Sequence, residues 1–492
     1  MIVQRHLFAF LCLLALVAGC AESSYVTVRS VPHNPLADSL SLFSRKGPQP
    51  SERTMQFLRS YALDDELAGD PHVLLGKVQQ IVDKEPSPDS VYAIAELAYV
   101  GGAKLQDKKD SHAALDLQAA AVAHAYQFLF DPQFARRRNP YDPQFRRACE
   151  VYNSALEAAL RISCAQGHLR PGESHTATLA GQEWEMQVVV RGGHWPNEEF
   201  GDVKFVSDYE VKGLQNQFHT YGLGVPLIVV RKGQSHGDPA EPYYAPGLAF
   251  PMTAFLRLEP DAFANGAPCK RHRATLELYD PLDTSEIAVG DWHVPLETDL
   301  STPLAYCLDD KSFQQLDHPT LGLLRPDSDK AKPGLYMLDP YQSNKIPVLM
   351  IHGLWSSPIT WMEMFNDLRG QPELRENYQF WFYVYPTGQP FWQTAAQLRD
   401  ELAKMRATLD PGRQALALDQ MVLVGHSMGG LVARMQTLDS GDEFWRLNSA
   451  RPFQLVKAEQ PVREALAGDF FFKPNPSIRR VITIATPHRG SS

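Results

Sequence analysis

The chain has 492 residues, 44% apolar and 21% charged, which excludes a disordered polymer and fits about two to four folded domains. Its net charge of -10, with no long basic run, removes electrostatic support for a nucleic-acid partner. No internal apolar stretch is long enough to span a bilayer.

Residues 1–19 read as a secretory signal: Arg5 and His6, an apolar run from Leu7 to Val17, then Ala18-Gly19 before Cys20. The ending Leu16-Val17-Ala18-Gly19-Cys20 resembles the bacterial lipobox. That resemblance implies cleavage before Cys20 and acylation of its thiol, so the mature protein would be anchored rather than spanning. An ordinary signal peptide with an incidental cysteine is the alternative. Ala21, rather than Asp, implies an outer-membrane address in the bacterial cell envelope. Residues 20–50 are polar and rich in Pro and Ser and read as a tether.

Residues 51–168 carry helical periodicity. Ser90 to Tyr99, Ala113 to Phe130 and Ala148 to Ile162 place apolar residues at three- and four-residue steps. Tyr92 and Tyr126 lie one tetratricopeptide period apart and resemble a helix-pair repeat, but other landmarks are unclear, which favours a plain bundle. Residues 169–330 change texture. Short strand candidates at Glu183–Val190, Asp202–Val211, Val225–Arg231, Leu248–Leu258 and Arg273–Tyr279 alternate with Gly/Pro/Asp clusters, suggesting an antiparallel β-sandwich-like domain. His194, His219, His236 and His272 are scattered singly without ligand spacing, so no metal is expected. No chemistry is assigned here; a binding module for substrate or a protein partner is one reading. Cys149, Cys164, Cys269 and Cys307 either pair with neighbours (Cys149 with Cys164, Cys269 with Cys307) or stay free.

Residues 331–492 alternate apolar strands with amphipathic helices: strands at 334–340, 345–353 and 378–386, helices at 359–368 and 391–409, and a last strand from Arg480. This is the pattern of a parallel, doubly wound sheet. Within it, Gly425-His426-Ser427-Met428-Gly429-Gly430 sits between the apolar run Met421–Val424 and the helical run Leu431–Gln436. Strand, sharp turn and helix with a serine at the apex form a nucleophile elbow, and Gly425 and Gly429 supply the room it needs.

Three motifs in order carry a resemblance: His352-Gly353-Leu354-Trp355-Ser356-Ser357, the elbow, and Ala485-Thr486-Pro487-His488-Arg489-Gly490-Ser491. Under a third of the chain, from Lys345, resembles the lipase/esterase branch of the α/β-hydrolases. The last motif is similar to that of the GPI inositol-deacylase type. The resemblance implies a carboxylic ester hydrolase without cofactor, acting on a lipid or ester substrate through a Ser427 acyl-enzyme. It implies backbone N–H donors from Met428 and Leu354, with Trp355 the near alternative, as the oxyanion hole. His352 and His426 are expected to be structural.

The family order is serine, then acid, then histidine. Only His488 follows Ser427, inside the strand-end motif, and Asp439, Asp442 and Asp469 fall before that strand. The expectation is an incomplete hydrolase domain whose triad acid and base are missing. A fragment, a degenerate domain and a rearranged triad using His488 are the three readings. Phe444-Trp445 and Phe470-Phe471-Phe472, between Asp439 and Ser477, are either an apolar lid or buried aromatics. The rival function is a lipid-anchored envelope scaffold with a vestigial hydrolase domain.

Overall fold

The computed structural model describes residues 24–107, 110–165, 167, 169–179, 182–233, 237–259, 272–314 and 333–490. The signal segment, Cys20, His236 and Cys269 lie outside the described residues. Among the described residues no helix is long and apolar enough to cross a membrane.

Five helices form the N-terminal region: α1 (Glu52–Ser60), α2 (Pro71–Lys84), α3 (Pro88–Asp107), α4 (Ser111–Phe130) and α5 (Pro143–Ala165). Side-chain oxygens start three of them. Ser51 accepts from Thr54 N, Asp70 from His72 N and Asp110 from Ala113 N, each satisfying an orphan N–H of the first turn. The alanines of α4 let it sit between two neighbours, and Ala114, Ala121 and Ala125 have no exposed surface. Tyr92 and Tyr126 point into this bundle, Tyr92 edge-on to Phe128 and Tyr126 near Tyr152. The buried Glu96 carboxylate receives Ser51 N at 2.6 Å and Tyr92 Oη at 2.7 Å, so its charge is solvated by fixed donors.

The stretch expected as a tether is docked from residue 24 onward. Strand β1 (Val26–Val28) pairs antiparallel with a strand of the middle region, and Tyr25 N donates to Asp309 at 2.6 Å. Leu36 and Leu40 are fully buried, with Leu42 close behind. The Pro/Ser-rich composition concealed this short apolar spacing, whose burial outweighs the cost of ordering the segment.

The middle region contains β2 (Ser174–Leu179), β3 (Gln182–Arg191), β4 (Phe200–Phe205), β5 (Tyr209–Val211), β6 (His219–Thr220), β7 (Val225–Arg231), β8 (Ala249–Leu258), β9 (His272–Tyr279), β10 (Glu286–Val289), β11 (Trp292–Pro295) and β12 (Thr298–Asp299). The sandwich expectation needs correcting. Six strands form one sheet in the order β2-β3-β9-β8-β7-β4, antiparallel except for the β3–β9 pair. The remaining strands make two-stranded ribbons, β1–β5, β6–β12 and β10–β11. Helices supply the second layer: α5 packs on β7, and α6 (Ser301–Asp309) packs on β7 and β8. The first seven residues of β8 are all buried, as in a strand covered on both faces rather than one with alternating exposure.

The Cys149–Cys164 pairing fails on geometry, while Cys269, the expected partner of Cys307, lies outside the described residues. Cys149 and Cys164 lie on α5, fifteen positions apart, which is ~22 Å of helix, against the ~6 Å that a disulfide spans. Among the described residues Cys149, Cys164 and Cys307 form no disulfide with one another.

The C-terminal sheet is ordered β13-β15-β14-β16-β17, from β13 (Gly334–Met337), β14 (Ile346–Ile351), β15 (Tyr378–Val384), β16 (Met421–His426) and β17 (Ile478–Ile484). Only β13 runs antiparallel. Its longer helices are α7 (Met362–Gly370), α8 (Phe391–Leu409), α9 (Met428–Met435) and α10 (Gln460–Phe470). Polar ties join it to the middle region: Ser301 Oγ to Asn366 Oδ1 at 2.9 Å, Asn366 Nδ2 to Asn216 O at 2.9 Å, and Arg375 Nε to Leu282 O at 3.1 Å.

Candidate active site

The sheet order puts the ends of β14 and β16 side by side, with Ile351 in register with Gly425. Beyond β16 the chain turns at Ser427 and enters α9 at Met428. Ser427 has φ +52° and ψ -121°, a conformation that an L-residue adopts only when its surroundings enforce it. Its N–H donates to Ile484 O on β17 at 2.8 Å, and its carbonyl accepts from Gly430 N at 3.1 Å. Close approach explains the glycines. A Cβ on Gly429 would strike the carbonyl oxygens of Ile351 and His352, and one on Gly430 would strike Thr486 Oγ1. A Cβ on Gly425 would lie 2.5 Å from Gly429 O. The elbow is therefore wedged between β14 and the segment after β17, with no space for side chains.

The loop after β14 lies against the serine. A Cβ on Gly353 would lie 3.0 Å from both Ser427 Cβ and His426 Nδ1. Leu354 and Trp355 follow and are exposed, Trp355 at 68% and with φ +53°. Met428 is the first residue of α9, where a helix leaves its N–H without an intrahelical acceptor. An N–H at a helix start is suited to negative charge.

His352 is buried under this loop. Its ring stacks on Tyr385 at 4.2 Å, its Nδ1 meets Gly353 O at 3.1 Å, and Tyr385 Oη donates to His352 O at 2.5 Å. Burial pushes its imidazole down to about 4, so it is neutral and braces the loop. His426 sits edge-on to Trp361, with ring centroids 6.5 Å apart. His352 Nε2, His426 Nδ1 and Trp361 Nε1 are buried without a hydrogen-bond partner among the described residues.

Ser427 Oγ makes no hydrogen bond to any described residue. His488 instead lies 3.2 Å from Thr483 Oγ1, on the strand beside Gly425. The aspartates singled out in the sequence are engaged elsewhere. Asp439 pairs with Lys473 at 2.7 Å and Asp442 with Arg446 at 3.5 Å. Burial raises the Asp469 carboxyl, which faces Arg399. The described residues thus bring together Ser427, Met428 and the Leu354 loop, and give His488 and these aspartates other local partners.

The aromatic insertion packs on itself. Phe444 meets Phe470 at 5.3 Å, Trp445 meets Phe453 and Phe470 at 5.2 Å, and Phe453 meets Phe471 at 4.9 Å. Trp445, Phe470 and Phe472 are buried, and Phe472, with Phe444 beside it, joins these rings to the main core. The scattered histidines have local partners: His194 with Asp283 at 3.1 Å, His219 with Glu297 at 3.5 Å, and His272 tilted against Trp184 with ring centroids 4.9 Å apart. Among the described residues no group of three or more His, Cys, Asp or Glu is placed to hold a metal ion.

Sequence reasoning missed Tyr385 and Thr486 as supports of the site. Tyr385 stands one residue past β15, and only the β15–β14 pairing carries it to His352. None of the curated proteins or solved structures matches the chain. Residues 348–487, which span the loop after β14, the elbow and β17, match the family described as "Alpha/beta hydrolase family".

Proposed function

We propose that the C-terminal domain is a serine ester hydrolase, lipase- or esterase-like, acting on carboxylic or lipid esters. Ser427 would attack the ester carbonyl carbon, the alcohol would leave, and water would release the acid from the acyl-serine. The N–H groups of Met428 and Leu354 would receive the oxyanion, a donor pair in which each N–H is worth about 3 kcal/mol in the transition state. The single observation that supports this reading is the strained φ of +52° at Ser427, maintained between β16 and α9 at the mouth of the sheet. Leu354 and Trp355, exposed beside it, suit an apolar acyl group.

The reading extends to the whole chain as a lipoprotein acylated at Cys20 and held in the bacterial cell envelope, at the outer membrane. A lipid-anchored scaffold with a vestigial hydrolase domain is the second reading, and what favours it is that no described histidine is bonded to Ser427 Oγ. A fluorophosphonate probe tests the enzyme reading. Labelling that disappears in Ser427→Ala supports it; no labelling of folded protein rejects it in favour of the scaffold. Metabolic labelling with a palmitate analogue tests the anchor, and label that persists in Cys20→Ser rejects it.

A further inference from the structure

The middle region grips one helix of the C-terminal domain along a single face. On α7 the residues Glu363, Asn366, Asp367 and Gly370 fall at helical steps and share a stripe. Each meets the segment from Gln215 to Phe218, in chain order. Glu363 accepts from Gln215 N at 3.2 Å. Asn366 Nδ2 donates to Asn216 O at 2.9 Å, and Asp367 accepts from Asn216 Nδ2 at 3.0 Å. Gly370 lies against the Phe218 ring, which a Cβ at that position would strike. A second stripe, Met362, Phe365 and Arg369, is buried in the C-terminal domain itself. There Phe365 stands edge-on to Phe380 and Phe382 of β15, at 5.7 and 5.4 Å, and Arg369 pairs with Asp339 at 3.0 Å. The helix is thus held between its own sheet and the middle region.

The gripping segment is anchored in turn. Phe218 N donates to Ser301 Oγ at 2.9 Å, and Phe218 O accepts from Leu300 N at 3.0 Å. The buried Ser301 hydroxyl donates to Asn366 Oδ1 at 2.9 Å. Ser301 opens α6, which packs on β7 and β8 of the six-stranded sheet. Asn366 is buried and has both ends of its amide engaged by the middle region, so withdrawing that region would leave a buried amide unsatisfied.

The same helix is the far support of the loop after β14. The helical turn Pro358–Trp361 runs into Met362 without a break. Residues 352–357 therefore form a short span between the end of β14 and a rigid element that continues through α7. The near end is fixed by Tyr385 Oη on His352 O, and the far end goes where α7 goes. Within the span Trp355 has φ +53°, a conformation that persists only while its surroundings over-determine it. A shift of α7 must then be taken up by the residues that carry the Leu354 N–H, where misplacement by about 1 Å can cost a hundredfold in rate.

We propose that Gln215, Asn216, Phe218 and Ser301 of the middle region are positioning residues for the oxyanion loop, acting through α7. The catalytic consequence rests on the ester-hydrolase reading, but the loop geometry is measured without chemistry. The full chain is labelled with fluorotryptophan, and the Trp355 resonance is followed by fluorine NMR, assigned by its loss in Trp355→Phe. Gly370→Ala drives the Phe218 ring away without weakening the helix, because alanine is the better helix former. Ser301→Ala removes the hydroxyl that joins Phe218 N to Asn366. Both variants, checked for fold by circular dichroism, should shift or broaden the Trp355 resonance and leave Trp184 and Trp445 in place. If Ser301→Ala does not fold, Gly370→Ala decides. Gly468→Ala, in open space on α10, should move none of the three. Fluorophosphonate labelling at Ser427 should slow about tenfold or more in Gly370→Ala and stay at the parent rate in Gly468→Ala. An unmoved Trp355 resonance overturns the proposal, and so does an equal shift of Trp184 and Trp445, which reports general loosening. A labelling rate unchanged in Gly370→Ala overturns it as well. A parent chain that takes no probe rejects the hydrolase reading, and the Trp355 resonance then decides the positioning by itself.

Discussion

Replacing Ser427 by glycine and by alanine separates the strain at the elbow from its chemistry. At φ +52° and ψ -121° an L-residue costs of order 1–3 kcal/mol. Alanine keeps the Cβ and therefore the strain. The hydroxyl it removes bonds to no described residue, so Ser427→Ala should leave stability nearly unchanged. Glycine removes the steric cost and adds back about 0.5–1 kcal/mol of unfolded-chain freedom. Ser427→Gly should then exceed Ser427→Ala in stability by about 1–2 kcal/mol. For a domain of this size each kcal/mol moves the melting point by about 2–4 °C. The assay is differential scanning calorimetry of the full chain, following the transition that carries the C-terminal sheet, because a multidomain chain does not unfold as two states. Both variants should be silent to fluorophosphonate. A glycine variant that melts with or below the alanine variant would refute the reasoning, since the strain would then not reside in this backbone.

Gly429→Ala should lower the same transition by about 1–3 kcal/mol, because its Cβ meets the carbonyl oxygens of Ile351 and His352, which no rotamer change can move. Gly468→Ala, on α10 with nothing within 4 Å, should instead gain about 0.5–1 kcal/mol; equal shifts in the two would contradict the packing account. His352 has a folded value of about 4 against 6.5 for a free imidazole, so the unfolded chain takes the proton first as pH falls. Its contribution is complete above pH 6.5 and is lost from there toward pH 4, by up to ~3 kcal/mol, and urea titrations of His352→Gln should show a flatter slope in that window. Asp280 behaves oppositely. Burial, with Asp283 and Asp339 nearby, raises its carboxyl from 3.8 to about 7, so its contribution is present below pH 3.8 and is lost as pH rises through 7. Asp280→Asn should be more stable than the parent at pH 8 and match it near pH 4. A parent chain more stable than the asparagine variant at pH 8 would remove the claim.

The C-terminal domain was legible because its signals are local. Apolar runs bounded by turn residues mark β14, β15 and β16, and glycines two positions to either side of Ser427 mark the turn that follows β16. The helices α3, α4 and α5 were equally plain, since each carries apolar residues at three- and four-residue steps. The middle sheet was misread because an apolar run such as Ala249–Leu258 does not say whether strands or helices cover it. Residues 24–50 were misread because three buried leucines are too few to stand out in a polar segment.

By itself the sequence determined the nucleophile candidate, the strand–turn–helix around it and the parallel sheet, all products of backbone preference within a few dozen residues. The tertiary structure decided the rest. It brings Tyr385 under His352, Thr486 against Gly430 and the Ile351 carbonyl against Gly429, contacts between strands far apart in the chain. It also lays Gln215, Asn216 and Phe218 along one face of α7, a contact that no motif announces. Pairings of that kind depend on which faces meet once the sheets and helices are packed, and shape complementarity over long chain separations leaves no periodic trace in a single sequence.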